Sequence, residues 1–238
     1  MMQSFPYEIK SFETDYYGTV SPETMMSICI YATSLKAVAE GLLPEDLYDR
    51  HGAVWMLARI NVAQYSHVHM GAIELCVSSR CISGGTYIRR VDVVQNGKTA
   101  ATAHIVFIVV NLEKRNIIRP SVIEETWPHM VEPVKLSPVK KIILPENMEP
   151  FDEYNVEYKE CDANRHFSSA NYAGLICERC GYWSGRQKLM TNIQIEFHAE
   201  FKPGERIELF KNGAEEVQYL RGVHSSGTTG FVASWSVE

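Results

Sequence analysis

The chain has 238 residues, 45% hydrophobic and 22% charged, with a formal net charge of −6. That balance describes a globular protein large enough for one big domain or two smaller ones, and it argues against nucleic acid, whose phosphates need a basic face. No apolar run approaches the roughly 18 to 20 residues of a membrane helix, and the opening MMQSFPYEIK has no secretory pattern, so the cytoplasm is the expected compartment. The first predicted element is a strand, Tyr7–Thr14. A helix follows from Pro22 to about Gly41, with Ser21 as N-cap, Pro22 in the first helical position and Gly41 as the stop. Ile28, Tyr31, Ala32, Leu35, Val38 and Ala39 recur every three or four residues, predicting its apolar stripe. Strands are expected at Val54–Tyr65, Ile73–Ile82, Tyr87–Gln95 and Lys98–Leu112, with an Asn96-Gly97 turn between the last two.

Six of the ten prolines fall within residues 120–150, which suits an extended connector. Beyond it the same plan returns. Val156–Cys161 reads as a strand and about Ser169–Trp183 as a helix. Ile193–Phe201, Ile207–Lys211, Glu215–His224 and Gly230–Val237 read as strands, with turns at Asn212-Gly213 and Ser226-Gly227. One helix and an antiparallel meander, twice over, is an α+β plan. A slide of 147 residues lays Glu13, Asp15 and Ser21 over Glu160, Asp162 and Ser168, at the same strand-to-helix junction. Where the second copy has Asn164 and His166, the first has Tyr17 and Thr19.

The six cysteines, Cys29, Cys76, Cys81, Cys161, Cys177 and Cys180, read as reduced packing residues, since the Cys177-x-x-Cys180 pair has no second pair to complete a zinc site. No metal and no cofactor are expected. Walker, dinucleotide-binding, zinc-protease and serine-elbow motifs are absent from the sequence. The chemistry concentrates in Asp162-Ala-Asn164-Arg-His166. Alternation along an extended segment would put the three side chains on one side, ahead of a helix N-terminus able to polarise a carbonyl. The bland alternative is a turn cap, a left-handed Asn and a surface His. In Ile193–Phe201, alternation places Glu196, His198 and Glu200 on one face, offering a general base or an ordinary solvated face.

On these residues the chain resembles the acyl-acyl carrier protein (acyl-ACP) thioesterases of bacteria and plants. The likeness rests on Phe12-Glu-Thr-Asp15-Tyr-Tyr-Gly18, on Trp55-Met-Leu-Ala-Arg59, and on the Asp162, Asn164, His166 motif with Tyr172 a helical turn later. The strand segment Ile193-Gln-Ile-Glu-Phe-His-Ala-Glu200 matches the family segment ending in the catalytic acid. Two departures stand out: Ser168-Ser169 where the family has a paired Asn, and Phe201 where many plant members have Cys. The resemblance implies a tandem double hotdog: an acyl-binding hotdog over residues 1–127, a proline-rich linker over 128–150 and a catalytic hotdog over 151–238. It implies hydrolysis of a fatty acyl-ACP thioester, ending fatty acid synthesis, with Glu200 as base or nucleophile and His166, Asn164 and Asp162 positioning water and thioester. Met25, Met26, Cys29 and Trp55 would gauge the acyl chain. The implied partner is acidic ACP, with Arg165, Arg179, Arg186 and Lys188 at the entrance. The protein would be a monomer or homodimer. The alternatives are an acyl-CoA thioesterase and a hotdog acyl-binding protein without turnover.

Overall fold

The computed structural model describes residues 2–41, 44–78, 80–83, 85–126, 136, 139–182, 187–213 and 216–238. In chain order these form β1 (Gln3–Ile9), α1 (Pro22–Ala39), α2 (Pro44–His51), β2 (Ala53–Gln64), β3 (Gly71–Val77), β4 (Cys81–Ser83), β5 (Thr86–Gln95), β6 (Lys98–Asn111), β7 (Asn116–Ile118) and α3 (Pro120–Thr126). The second half contributes β8 (Glu149–Asn155), α4 (Asn171–Arg179), β9 (Asn192–Phe197), β10 (Arg206–Gly213), β11 (Gln218–His224) and β12 (Thr229–Ser236).

The twelve described strands join one sheet, ten of them in the order β1-β3-β5-β6-β2-β9-β12-β11-β10-β8, with β4 paired to β5 and β7 to β6 off this path. Read from either edge, that order runs through the same elements of each half. The halves meet at β2 and β9, paired antiparallel from Arg59↔Glu196 to Ala63↔Asn192. Helices α1 and α4 pack against each other and against the sheet's inner face. This is the α+β tandem hotdog, with one helix held by each half-sheet.

Local chemistry explains most elements. Ser21 caps α1 by accepting a hydrogen bond from the Thr24 N–H, Pro22 opens the helix, and Gly41 ends it in the left-handed region at φ +71°. Asn96 and Gly97, at φ +52° and +71°, make the tight β5–β6 hairpin their dipeptide predicts. Both edge strands carry a proline, Pro6 in β1 and Pro150 in β8, as edges tolerate.

Several elements differ from expectation. The first strand is Gln3–Ile9, followed by a 3-10 turn at Ser11–Glu13, and not Tyr7–Thr14. Likewise Val156–Cys161 is no strand: its place is taken by β8, starting inside the expected linker, and by a 3-10 turn at Tyr158–Glu160. In both copies a tyrosine of the strand donates to the glutamate ending the turn, Tyr7 to Glu13 and Tyr154 to Glu160, and that glutamate also accepts the N–H of Lys10 or Glu157 at 2.8 Å. A carboxylate that takes both bonds closes the chain into a turn where an extended strand could not. The expected Ile73–Ile82 strand is split into β3 and β4, and the Asn212-Gly213 turn lies partly outside the described residues.

The buried stripe of α1 is also rotated from the expected one. Tyr31 and Val38 are 48% and 61% exposed, while Met25, Met26, Cys29, Ala32, Thr33 and Lys36 are buried. The inner face turns polar toward the helix C-terminus because Arg80 and Arg89 from the sheet meet the Glu40 carboxylate there.

Candidate active site

Asp162, Asn164 and His166 converge by a closed turn and not by extended alternation. The Asp162 carboxylate accepts the Asn164 N–H at 2.8 Å, the Arg165 N–H donates to the Asp162 carbonyl at 2.9 Å, and the Asp162 N–H donates to the His166 carbonyl at 3.1 Å. Arg165 adopts φ +66° to complete the loop. The first copy folds the same way: Tyr17 N–H to the Asp15 carboxylate at 2.9 Å, Gly18 N–H to the Asp15 carbonyl at 2.9 Å, and Gly18 at φ +74°. An Asp that satisfies its own turn backbone explains why this residue stands in both copies.

Within the second turn the His166 ring lies between two carboxylates. Its Nδ1 is 3.8 Å from Asp162 Oδ1 and its Nε2 is 3.8 Å from Glu200 Oε1. Glu200 reaches the ring because β9 stops at Phe197. The N–H groups of His198 and Ala199 both donate to the Gly230 carbonyl, at 2.8 and 3.0 Å, an extra residue that throws the chain out of register. The Phe167 N–H then donates to the Phe201 carbonyl at 2.7 Å, tying the Asp162–His166 loop to the end of the break. The result separates three side chains that alternation would group: Glu196 is buried on the outer face beside Arg59, while Glu200 turns to His166. Gly230 has no room for a side chain, because a Cβ there would overlap the ring of fully buried Phe201. Gly230→Ala is therefore expected to cost about 1–3 kcal/mol in a urea melt and to lower turnover by displacing Glu200.

Below the loop, Tyr172 is 3% exposed and edge-on to Phe167, Phe197 and Phe231, with ring centroids 4.6–5.2 Å away. Burial, and after it the Glu200 charge, push its hydroxyl far above the ordinary tyrosine range. Helix α4 starts just past the loop without the side-chain cap that α1 has, although Asn171 Nδ2 donates to the Glu160 carbonyl at 2.7 Å and fixes the helix entry. It spans Asn171–Arg179, shorter than expected, and Trp183 lies outside the described residues.

The four catalytic candidates are thus brought together. The four acyl-chain candidates are divided: Met25, Met26 and Cys29 sit fully buried in the main core, and Trp55 joins a second cluster with Tyr87 and Val109. Among the entrance candidates, Arg165 is exposed on the loop itself, whereas Arg179 ends α4, about 12 Å from its start, and pairs with Asp152 at 3.1 Å. Lys188 donates to the Gly181 carbonyl at 3.2 Å, and Arg186 lies outside the described residues. Cys177 is buried and Cys180 partly so. Burial first pushes both thiols up, Cys180 to about 11, which suits packing and not thiolate chemistry.

One counterpart was missed from sequence. In the first half the Tyr65 and Ser66 N–H groups both donate to the Ala100 carbonyl, and the Val20 N–H donates to the Val68 carbonyl at 2.8 Å. That is the Glu200 break repeated, with His67 in the place of Glu200 and Thr19 in the place of His166. The first half lacks the carboxylate–imidazole pair of the second in that order.

The fold that these two helix-and-sheet units define is the double hotdog. Residues 145–230 match the family model of the acyl-ACP thioesterase C-terminal domain. Two solved structures share the whole architecture. An acyl-ACP thioesterase from Bacteroides thetaiotaomicron superposes with a TM-score of 0.85 at 15% identity, covering 100% of this chain and 98% of that one. The 12:0-ACP thioesterase from Umbellularia californica superposes with a TM-score of 0.79 at 14% identity, covering 100% and 97%. At these identities the likeness shows the fold. No curated relative matches in sequence. Among the described residues no helix is long and apolar enough to cross a membrane.

Proposed function

We propose that the protein hydrolyses the thioester between a fatty acyl chain and the phosphopantetheine arm of ACP. The observation that carries this reading is the His166 ring set between Asp162 and Glu200, just ahead of helix α4, in a chain whose residues 145–230 match the family model of the acyl-ACP thioesterase C-terminal domain. Glu200 takes a proton from water as the water oxygen attacks the thioester carbonyl. His166 orients that water and Asp162 holds the imidazole. Asn164, exposed on the loop, donates its side-chain amide to the Asp162 carboxylate at 3.4 Å and is available to turn it toward the substrate. The positive dipole end of α4 stabilises the oxyanion of the tetrahedral intermediate. Collapse expels the phosphopantetheine thiolate, which takes the proton held by Glu200, and leaves the free fatty acid.

Arg165, exposed on the loop, supplies a positive charge to acidic ACP despite the chain's net charge of −6. Thiol release from matched acyl-ACP and acyl-CoA substrates tests the reading. Faster release from acyl-ACP supports it. Preference for CoA would move the assignment to an acyl-CoA thioesterase, and binding without release would leave an acyl-binding protein.

A further inference from the structure

On the outer face of the sheet, away from the Asp162–His166 loop, the chain around residues 139–144 crosses the seam between the halves. Glu196 accepts the Ile142 N–H and Gln194 donates to the Lys140 carbonyl, which fixes this segment over β9. Between it and strands β9, β11 and β12 lies a cleft of about 480 Å³. That is the size of a small-ligand site, roughly 300 to 1,000 Å³. Its lining follows from strand register. Glu196, Val232 and Arg221 stand opposite one another on β9, β12 and β11, so one row across the outer face carries all three.

The charges in this cleft do not balance. Arg59 continues the row on β2 and meets Glu196 at 3.1 Å, so the one acid of the lining is already matched. Lys141 and Arg221 line the same space, and among the described residues neither has a carboxylate within ion-pair distance. The Arg221 guanidinium rests instead 4.9 Å from the centre of the Phe210 ring. His198 and Thr229 add hydrogen-bonding groups, while Ile142, Leu144 and Val232 make the remaining wall apolar. Two unmatched cations beside three aliphatic side chains complement an anion with an apolar body.

We propose that this cleft binds an amphiphilic carboxylate, the head and first methylenes of a free fatty acid, at a site separate from the thioester. Lys141 and Arg221 hold the carboxylate, and Ile142, Leu144 and Val232 cover the methylenes. The cleft borders the machinery that places Glu200. His198 and Thr229 flank it, and the His198 N–H and Gly230 carbonyl form the break that turns Glu200 toward His166. A ligand drawn against His198 therefore shifts the segment carrying Glu200 and slows turnover. A free fatty acid is the product of the proposed hydrolysis, so this feedback rests on the thioesterase reading, whereas the binding does not.

The test is calorimetric titration of the full chain with octanoate, 1-octanol and inorganic phosphate. Octanoate is expected to bind at least about tenfold tighter than octanol, the size of a charge-assisted hydrogen bond, and tighter than phosphate, which lacks the tail. Lys141 is exposed, so Lys141→Glu leaves the fold intact and is expected to abolish the preference over octanol, while Arg221→Lys keeps most of it. Octanoate no tighter than octanol overturns the proposal. So does a preference unchanged in Lys141→Glu, which would put the carboxylate elsewhere. Phosphate binding as tightly as octanoate overturns the amphiphile and leaves a site for a bare anion. In steady-state thiol release, octanoate is expected to lower kcat with KM unchanged, and Lys141→Glu to remove that effect. Inhibition that only raises KM, or that survives Lys141→Glu, overturns the feedback. No thiol release from any acyl thioester would instead sink the thioesterase reading, and the titrations would still decide the cleft.

Discussion

Glu200→Gln is expected to lower thiol release from acyl-ACP by about 10²–10⁴-fold, the usual worth of a positioned general base, and to leave the melting temperature nearly unchanged. The two halves of this expectation have separate physical grounds. The Glu200 side chain is half exposed and its contact to His166 Nε2 is 3.8 Å, so it contributes little to folding. The same distance is too long for a hydrogen bond, as contacts between catalytic groups commonly are before substrate binds. His166→Ala is expected to fall by a similar factor, and the double variant no further than the worse single, because the pair acts as one unit. Asp162 differs: besides facing His166 Nδ1 it accepts the Asn164 N–H, so its removal should also loosen the loop. Single-turnover thiol release with each variant, alongside circular dichroism melts, checks this. A Glu200→Gln variant that turns over at the wild-type rate removes Glu200 from the reaction.

The duplication and the Asp162–His166 turn were legible because they are written in short-range chemistry. Ser21 and Pro22 announce a helix start, Asn96-Gly97 a hairpin, and the 147-residue slide finds two Asp-closed turns. The slide could not find His67 opposite Glu200. Val68 corresponds to Phe201, an offset of 133, because α1 and the inserted α2 lengthen the first half between loop and strand, where the second has the shorter α4. A fixed offset cannot cross elements of unequal length. Periodicity misphased α1 for another reason: Lys36 counted as polar and outward, yet its partner Glu40 and the sheet arginines make the inward face hospitable to charge. Alternation likewise grouped Glu196 with Glu200, and the two-to-one hydrogen bonding at Gly230 divided them. Short α2 and α3 have too few turns to show a period.

Glu196→Leu is expected to destabilise the protein by about 3–5 kcal/mol, although its carboxylate faces away from the Asp162–His166 loop. Glu196 is 4% exposed and paired in register with Arg59 across the seam between the halves. Its carboxylate lies 3.1 Å from Arg59 Nε and accepts the Ile142 N–H at 2.6 Å, while Arg59 Nη1 donates to the Val139 carbonyl. The pair thereby holds the segment around residues 139–142 over the outer face of the β2–β9 seam, where Gln194 adds a bond to the Lys140 carbonyl at 2.7 Å. Removing the carboxylate strands the Nε side of a largely buried guanidinium and an amide N–H together, which is the costly case. Removing both charges, as in Arg59→Met with Glu196→Leu, leaves no orphaned ion and is expected to recover most of the loss, because well-packed apolar replacements of buried ion pairs are often neutral. Urea melts of the two singles and the double complete the cycle. A double variant as unstable as the sum of the singles would mean that the two side chains act independently. A stable Glu196→Leu would mean that the seam holds by backbone pairing alone. In either case the halves would be joined more loosely than the buried pair indicates, and Glu200, hung from the end of the same strand, would depend for its placement on the Gly230 break and not on the seam.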